Sequence, residues 1–229
     1  SISAQQGIFP TITKFGMAAL LPHKKLETVV QNDSVKVLVD GHASEMSDRD
    51  GILKSYSENS VALKYKDIIN MKRDEKRAAV KGKNIVYIYH DTIDASSHND
   101  ESTVFDACNK AINEIKNLVN VICNDLQGVN VVITSDHGFL YTYQELSEED
   151  KMERSSFKQN IIEQGRRYVI TNDEANPDFL MPVNGIYNDA NMLGFAPREN
   201  IRIKGAGGVN FVHGGTSLQE MSVPVITYK

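Results

Sequence analysis

The strongest constraint on this chain lies between Asn84 and Thr134. "NIVYIYH" (Asn84 to His90) is a short β-branched and aromatic run, which reads as a buried strand. "STVFDACNKAINEIKNLVNVICNDL" (Ser102 to Leu126) follows. In it Val104, Phe105, Ala107, Cys108, Ala111, Ile112, Ile115, Leu118, Val119 and Ile122 recur at helical spacing on one face. Ser102 or Thr103 can cap the start of this helix, and Gly128 stops it. "VNVVIT" then reads as a second buried strand. Strand, long helix, strand makes a right-handed crossover unit, which needs a parallel sheet covered by helices. The expected fold class is therefore α/β, a three-layer α/β/α sandwich with a mostly parallel sheet.

Around this centre, "VKVLVDG" (Val35 to Gly41) reads as a further strand and "FGMAALLP" (Phe15 to Pro22) as a short apolar helix. Between Asp48 and Lys81 the chain is charged and helical in pattern, and "NMKRDEKRAAVKGK" reads as a solvated helix face. The polar stretch 144–208 carries turn signals at "NDEANPD", "VNGIYND" and "KGAGG". It is expected to be an insertion with short β segments, leaving 9–143 and 209–229 as the core of a single domain. With 229 residues, 41% of them hydrophobic, the chain can bury one full core. A net charge of -5 argues against binding nucleic acid over the whole surface and leaves a local basic patch open. Cys108 and Cys123 both fall in the predicted helix, as small apolar residues of a reducing compartment. No signal peptide and no membrane-spanning run is present, so the expected location is the cytoplasm. The opening Ser-Ile-Ser-Ala is read as part of a longer protein.

In an open α/β sheet, ligands gather at the carboxyl ends of the strands. Asp136 and His137 follow "VVIT"; His90, Asp91, Asp94 and His98 follow "IVYIY"; His213 follows "NFV". Carboxylate oxygen with imidazole nitrogen suits zinc or manganese. Gly138 would let the backbone turn sharply, so that Asp136 and His137 face one ion. "DASSH" puts Asp94 and His98 at i and i+4, on one face of a helical turn. Singly, these are ordinary features: a polar turn, a surface pair, a satisfied core histidine. Their joint placement at strand ends points to a metal site. Thr11 and Thr13 stand just before the short helix, where amide groups and the helix dipole stabilise an anion. The plainer alternative is a threonine that caps the helix.

These pieces, in this order, resemble the alkaline phosphatase superfamily, and more closely the PglZ domain of BREX and phage-growth-limitation defence systems. The resemblance rests on "PTITKFGMAALLPH", "YHDTIDASSH", "VVITSDHGFLY" and "FVHGGTSLQEMSVPVI", which together span most of Phe9 to Ile226. It implies that Thr13 is the nucleophile. It also implies that Asp94, His98 and His213 hold one divalent metal, and that Asp136 and His137 hold a second, to which Thr13 also binds. Zinc is the first choice of metal and manganese the second. His90 competes with His98 as a ligand, and Asp100 lies nearby. The family's first metal-binding Asp is expected upstream of Thr13, outside this chain and on the truncated N-terminal side of the fold; Asp40, which follows Thr13, is set aside on chain order. The implied activity is metal-dependent phosphoester hydrolysis, as phosphodiesterase or phosphatase, through a phosphothreonine or another ester adduct. The implied partners are a phosphoester or nucleotide substrate and other defence-system subunits, with nucleic acid within reach and no membrane. Two rivals stand beside this reading: a scaffold for defence subunits, and another enzyme of the superfamily such as a phosphomutase. A sulfatase is disfavoured because no Cys-x-Pro-x-Arg motif is present.

Overall fold

The computed structural model describes residues 1–97, 101–153, 160–172, 179–187, 191–205 and 209–229. The chain opens with β1 (Ile2–Gln6), α1 (Thr13–Leu20), β2 (Leu26–Gln31), β3 (Ser34–Val39) and β4 (His42–Ala43). Next come α2 (Arg49–Tyr56), β5 (Ser60–Lys64), α3 (Tyr65–Asn70), α4 (Arg73–Val80), β6 (Ile85–Tyr89), α5 (Thr92–Ser97) and the long α6 (Val104–Asn124). β7 (Val131–Thr134) and β8 (Leu140–Tyr141) lead into β9 (Lys151–Met152), β10 (Ile161–Gln164), β11 (Val169–Thr171), β12 (Leu180–Val183), β13 (Leu193–Pro197) and β14 (Arg202–Ile203). The chain closes with β15 (Phe211–Val212), α7 (Leu218–Met221) and β16 (Ser222–Tyr228). Residues group into two compact units: Ser1 with 46–133 and 226–229, and 2–45 with 134–225.

The first unit is organised by α6. Its buried residues Val104, Ala107, Ala111 and Leu118 form one narrow stripe at near-heptad spacing. Leu118 packs with Tyr65 and Ile68 of α3, and with half-buried Leu63, Ile88 and Ile122. The sequence put Phe105 and Ile112 on this face, yet they are 44% and 50% exposed. Each lies one residue past a buried position, about 100° around the helix, and so falls off the stripe. β5 was hidden inside the charged segment expected to be helical; it is a strand because it pairs in parallel with β6. α4 buries none of its residues, as a solvated face requires.

The second unit carries α1 and most of the strands. α1 buries Phe15, Gly16 and Ala18. β2 and β3 form an antiparallel hairpin whose two-residue turn, Asn32-Asp33, has φ of 51° and 53°. Positive φ at both turn positions is what a type I′ hairpin needs, and Asn and Asp tolerate it. In 144–208 the described strands do form short β segments. β10, β11, β13 and β12 make an antiparallel sheet over a core of Met152, Val169, Leu180, Phe195 and Ile203.

The sheet arrangement departs from the expected one. The chain folds as mixed α/β with several small sheets, most of them antiparallel. Parallel pairs among the described residues include β5 with β6 and β14 with β9. β6 and β7, which flank α6, belong to different sheets, with β7 in a three-stranded sheet of order β1, β16, β7. The reason is visible in β7 itself. Its burial alternates, and Val132 is 63% exposed. A short β-branched run reads the same whether helices cover both faces or one face is open. Cys108 and Cys123 are both free thiols on α6. Among the described residues, no helix is long and apolar enough to cross a membrane.

Candidate metal and nucleophile site

β7 ends at Thr134, and the chain then turns through Ser135, Asp136, His137 and Gly138. Gly138 serves a different need from the one expected. Among the described residues the positive-φ glycines are Gly41, Gly82 and Gly214, so Gly138 does not use left-handed freedom. It permits close approach instead: a Cβ there would meet the Gln219 carbonyl oxygen at 2.0 Å. The Gly138 N–H donates to the carbonyl of Glu220 at 2.9 Å, fastening the turn to α7. Gly16 does the same for α1, because a Cβ there would lie 2.3 Å from the Asp136 carbonyl oxygen. Two glycines therefore let α1 and α7 close on the Asp136–His137 turn.

That contact brings the start of α1 to His137. Thr13 is the first residue of α1; Ile12 holds the cap position, and no side chain caps the helix. The Thr13 hydroxyl lies 3.3 Å from His137 Nε2. His137 Nδ1 is 2.9 Å from the Gly138 carbonyl, so the ring proton sits on Nδ1 and the lone pair on Nε2. Asp136 Oδ2 is 3.6 Å from the same Nε2. The ring of His213 stacks on that of His137 with centroids 4.4 Å apart and planes at 15°. His213 is oriented in turn, since Nδ1–H donates to the Thr11 carbonyl at 3.1 Å. Each imidazole thus spends Nδ1 on a backbone carbonyl, the arrangement that prepares Nε2 as a metal ligand.

Two ligands at about 2.0–2.1 Å from one tetrahedral ion lie about 3.3–3.4 Å apart. The Thr13 spacing of 3.3 Å from His137 Nε2 meets that requirement, and the Asp136 spacing of 3.6 Å lies slightly beyond it. Among the described residues, no three His, Cys, Asp or Glu side chains form a metal-sized group. The donors here are one carboxylate, one imidazole and one hydroxyl, with a second imidazole stacked beside them.

Thr11 has a structural task. It is fully buried; its hydroxyl donates to the Gly215 carbonyl at 2.8 Å and accepts the Gly214 N–H at 3.0 Å. Thr11 thereby ties the segment leading into α1 to the loop that carries His213. Thr11→Val keeps the shape and leaves those two backbone groups buried without their partner. The expected cost is about 1–3 kcal/mol, read as a lower urea midpoint at unchanged slope. A midpoint equal to the parent's would show that the bond contributes nothing.

The remaining sequence candidates are Asp94, His98, Asp100, His90 and Asp40. Asp94 is half-buried on α5, in the first unit. His98 and Asp100 lie outside the described residues. His90 Nε2 is 2.7 Å from Glu114 Oε2, which also accepts the Thr92 hydroxyl at 2.7 Å. Burial opposes ionisation of Glu114, yet the hydrogen bonds from Thr92 and His90 outweigh it and hold the carboxyl below its usual range. The nitrogen of His90 that would bind a metal therefore already faces a carboxylate. Asp40 accepts the backbone N–H groups of Lys24 and Lys25 at 3.0 and 2.8 Å, so its carboxylate closes a turn.

Sequence reasoning missed the residues behind the site. Arg167 and Glu220 form an ion pair at 3.0 Å with side chains 1% and 0% exposed. Glu220 also accepts the N–H of Gly215 at 2.8 Å and of Ser217 at 3.1 Å. A signal existed in "GRRYVI": an arginine directly before an apolar strand must find an acid if it is buried.

A family model for the BREX system PglZ alkaline phosphatase-like domain matches residues 1–228. The chain belongs to the PglZ family. It is 37% identical over 236 residues to the alkaline phosphatase-like protein BrxZ of Escherichia coli O9:H4 (strain HS). It is 34% identical over 239 residues to the alkaline phosphatase-like protein PglZ of Bacillus cereus (strain H3081.97). Each match takes in all of this chain and 27% of the relative, so the chain spans about a quarter of the length of the curated relatives it matches. The resemblance carried by the four sequence motifs is thus a family membership, and the fold is an alkaline phosphatase-like domain of the BREX-associated kind.

Proposed function

We propose that this PglZ chain carries a divalent-metal phosphoesterase site in a BREX-type defence protein, with Thr13 as nucleophile, Asp136 and His137 as ligands of one ion and His213 as a ligand of a second. The observation that carries this reading is the convergence of Thr13 Oγ1 and Asp136 Oδ2 on the lone-pair nitrogen of His137. Zinc is the first candidate for such oxygen and nitrogen donors, and manganese the second. Bound there, the cation would supply Lewis acidity and offset charge on a transferring phosphoryl group.

The chain's own residues would do the rest. α1 presents the Thr13 hydroxyl at its N-terminus, where backbone N–H groups favour the anionic form. Thr13 Oγ forms the new bond to phosphorus, and the bond to the leaving oxygen breaks with its electron pair. That oxygen takes a proton from solvent, balancing the proton lost from the hydroxyl. Water then cleaves the Thr13 ester and restores the hydroxyl. His137 and His213 stay oriented throughout by the carbonyls of Gly138 and Thr11. Asp94 and His98 enter as further ligands on the family resemblance. The substrate class is a phosphoester or nucleotide, and the setting is a complex with other defence subunits.

Elemental analysis of full-length protein purified without chelator is expected to find zinc or manganese, together with turnover of a chromogenic phosphodiester. His137→Ala and His213→Ala are each expected to lower the bound metal. Metal content equal to the parent's in both variants would remove the site from this part of the chain.

A further inference from the structure

One short hairpin reaches both sides of the Thr13–His137–His213 cluster. β10 and β11 pair antiparallel, with Glu163 opposite Ile170, and the turn between them is closed by the Gly165 N–H donating to the Tyr168 carbonyl at 3.0 Å. Three side chains leave this hairpin toward the site. Glu163 Oε2 accepts from Lys14, the residue after Thr13, and from the Val35 N–H at 2.9 Å. Lys14 in turn donates to the Val35 carbonyl at 2.7 Å, so the first turn of α1 is pinned to β3 through Glu163. The Tyr168 hydroxyl donates to Glu163 Oε1 at 2.7 Å. On its other side the same ring lies against the backbone of Gly214, where a Cβ would approach Tyr168 Cδ1 to 2.7 Å. Gly214 has a φ of 114° and directly follows His213. Arg167 completes the grip, because its partner Glu220 accepts the Gly215 N–H at 2.8 Å.

We propose that the hairpin 161–171 is the positioning element of the site: Glu163 fixes the Thr13 end through Lys14, and Tyr168 with Arg167 fixes the loop that carries His213. This stretch lies within the segment that reads as a polar insertion, so the insertion has a task in the site and is more than an appendage. The proposal deepens the phosphoesterase reading and names residues that act through others, none of which needs to touch substrate. Burial opposes ionisation of Glu163, but the hydrogen bonds from Lys14, Tyr168 and Val35 outweigh it, which keeps the acceptor charged for Lys14.

The test uses the tautomers of the two histidines, which do not depend on turnover. In chelator-treated, 15N-histidine-labelled protein, long-range 1H–15N spectra of the parent are expected to show His137 and His213 each as one fixed Nδ1–H tautomer. Six histidines in the chain keep such a spectrum sparse. Glu163→Gln removes the counter-charge of Lys14 and is expected to average the His137 pattern. Tyr168→Leu removes the ring beside Gly214 and is expected to average that of His213. Should Tyr168→Leu fail to fold, Tyr168→Phe removes one bond from Glu163 and is expected to move His137 in the same direction as Glu163→Gln. Thr171→Val serves as the control. It loses the bond to the Asn160 carbonyl at the far end of the same hairpin and is expected to leave both rings as in the parent. Parent-like spectra in the Glu163 and Tyr168 variants would overturn the proposal. So would equal changes in Thr171→Val, or averaged tautomers in the parent. In the full-length protein, the Glu163 and Tyr168 variants are expected to lose about 10–100-fold in kcat/KM, the usual effect of removing a partner behind a ligand. If the parent shows no turnover, the phosphoesterase reading fails and the spectra alone decide the hairpin's role.

Discussion

Thr13→Ala in the full-length protein is expected to abolish phosphoester turnover and leave the fold unchanged. Thr13 is half-buried at the first position of α1, and its hydroxyl bonds to His137 Nε2 at 3.3 Å. Alanine is the better helix former, so losing this side chain costs the helix nothing in propensity. The covalent route, by contrast, loses its only attacking atom. Removing the nucleophile of a covalent hydrolase costs on the order of 10^4- to 10^6-fold in kcat. Thr13→Ser keeps a hydroxyl in place and is expected to retain measurable turnover. The measurement is kcat on a chromogenic phosphodiester, with the thermal midpoint of each variant as the folding control. Parent-like activity in Thr13→Ala would end the covalent mechanism. Activity lost together with the thermal midpoint would assign Thr13 to the fold.

The contrast with Thr11 shows what a sequence can and cannot separate. In "FPTITKF" the two threonines look interchangeable, both just ahead of an apolar helix. In the structure Thr11 is fully buried against Gly214 and Gly215, while Thr13 faces His137. That difference depends on which distant backbone lies beside each hydroxyl, and local spacing carries no such information. The "SDHG" turn was legible as a place where a strand delivers polar groups, because a β-branched apolar run stops there at Asp-His. The reason for its glycine was not legible, since the Gln219 carbonyl that excludes a Cβ lies 81 positions away in sequence. The long helix was plain from its period, as was the short apolar helix. The parallel sheet was inferred from the order of elements alone. Pairing between strands is set by long-range partners, and here it distributes β6 and β7 to separate sheets. For Arg167 the sequence could signal the need for an acid but not which one, because Glu220 lies 53 residues away.

That pair is where the largest loss of stability is expected. Arg167 and Glu220 are almost wholly excluded from water, and the guanidinium donates to both carboxylate oxygens, Oε1 at 3.3 Å and Oε2 at 3.0 Å. The third donor nitrogen of Arg167, Nη1, bonds the Ile201 carbonyl at 2.5 Å. Arg167→Met keeps much of the side-chain volume and deletes the charge. Glu220 is then left as a buried carboxylate whose remaining partners are neutral N–H groups from Gly215 and Ser217. Breaking a buried pair in this way costs about 3–5 kcal/mol, because the penalty is the charge left uncompensated. Against a total stability of about 5–15 kcal/mol, this is enough to unfold a marginal domain. The cause can be separated from lost packing by a second substitution. Glu220→Gln removes the carboxylate charge while its amide oxygen can still accept the Gly215 N–H. If the uncompensated charge dominates, the Arg167→Met/Glu220→Gln double variant is expected to be more stable than Arg167→Met alone. Urea unfolding of the parent, both single variants and the double variant gives the coupling directly. A double variant no more stable than Arg167→Met would mean that the arginine contributes through its packing and its bond to Ile201, and that the ion pair itself adds little.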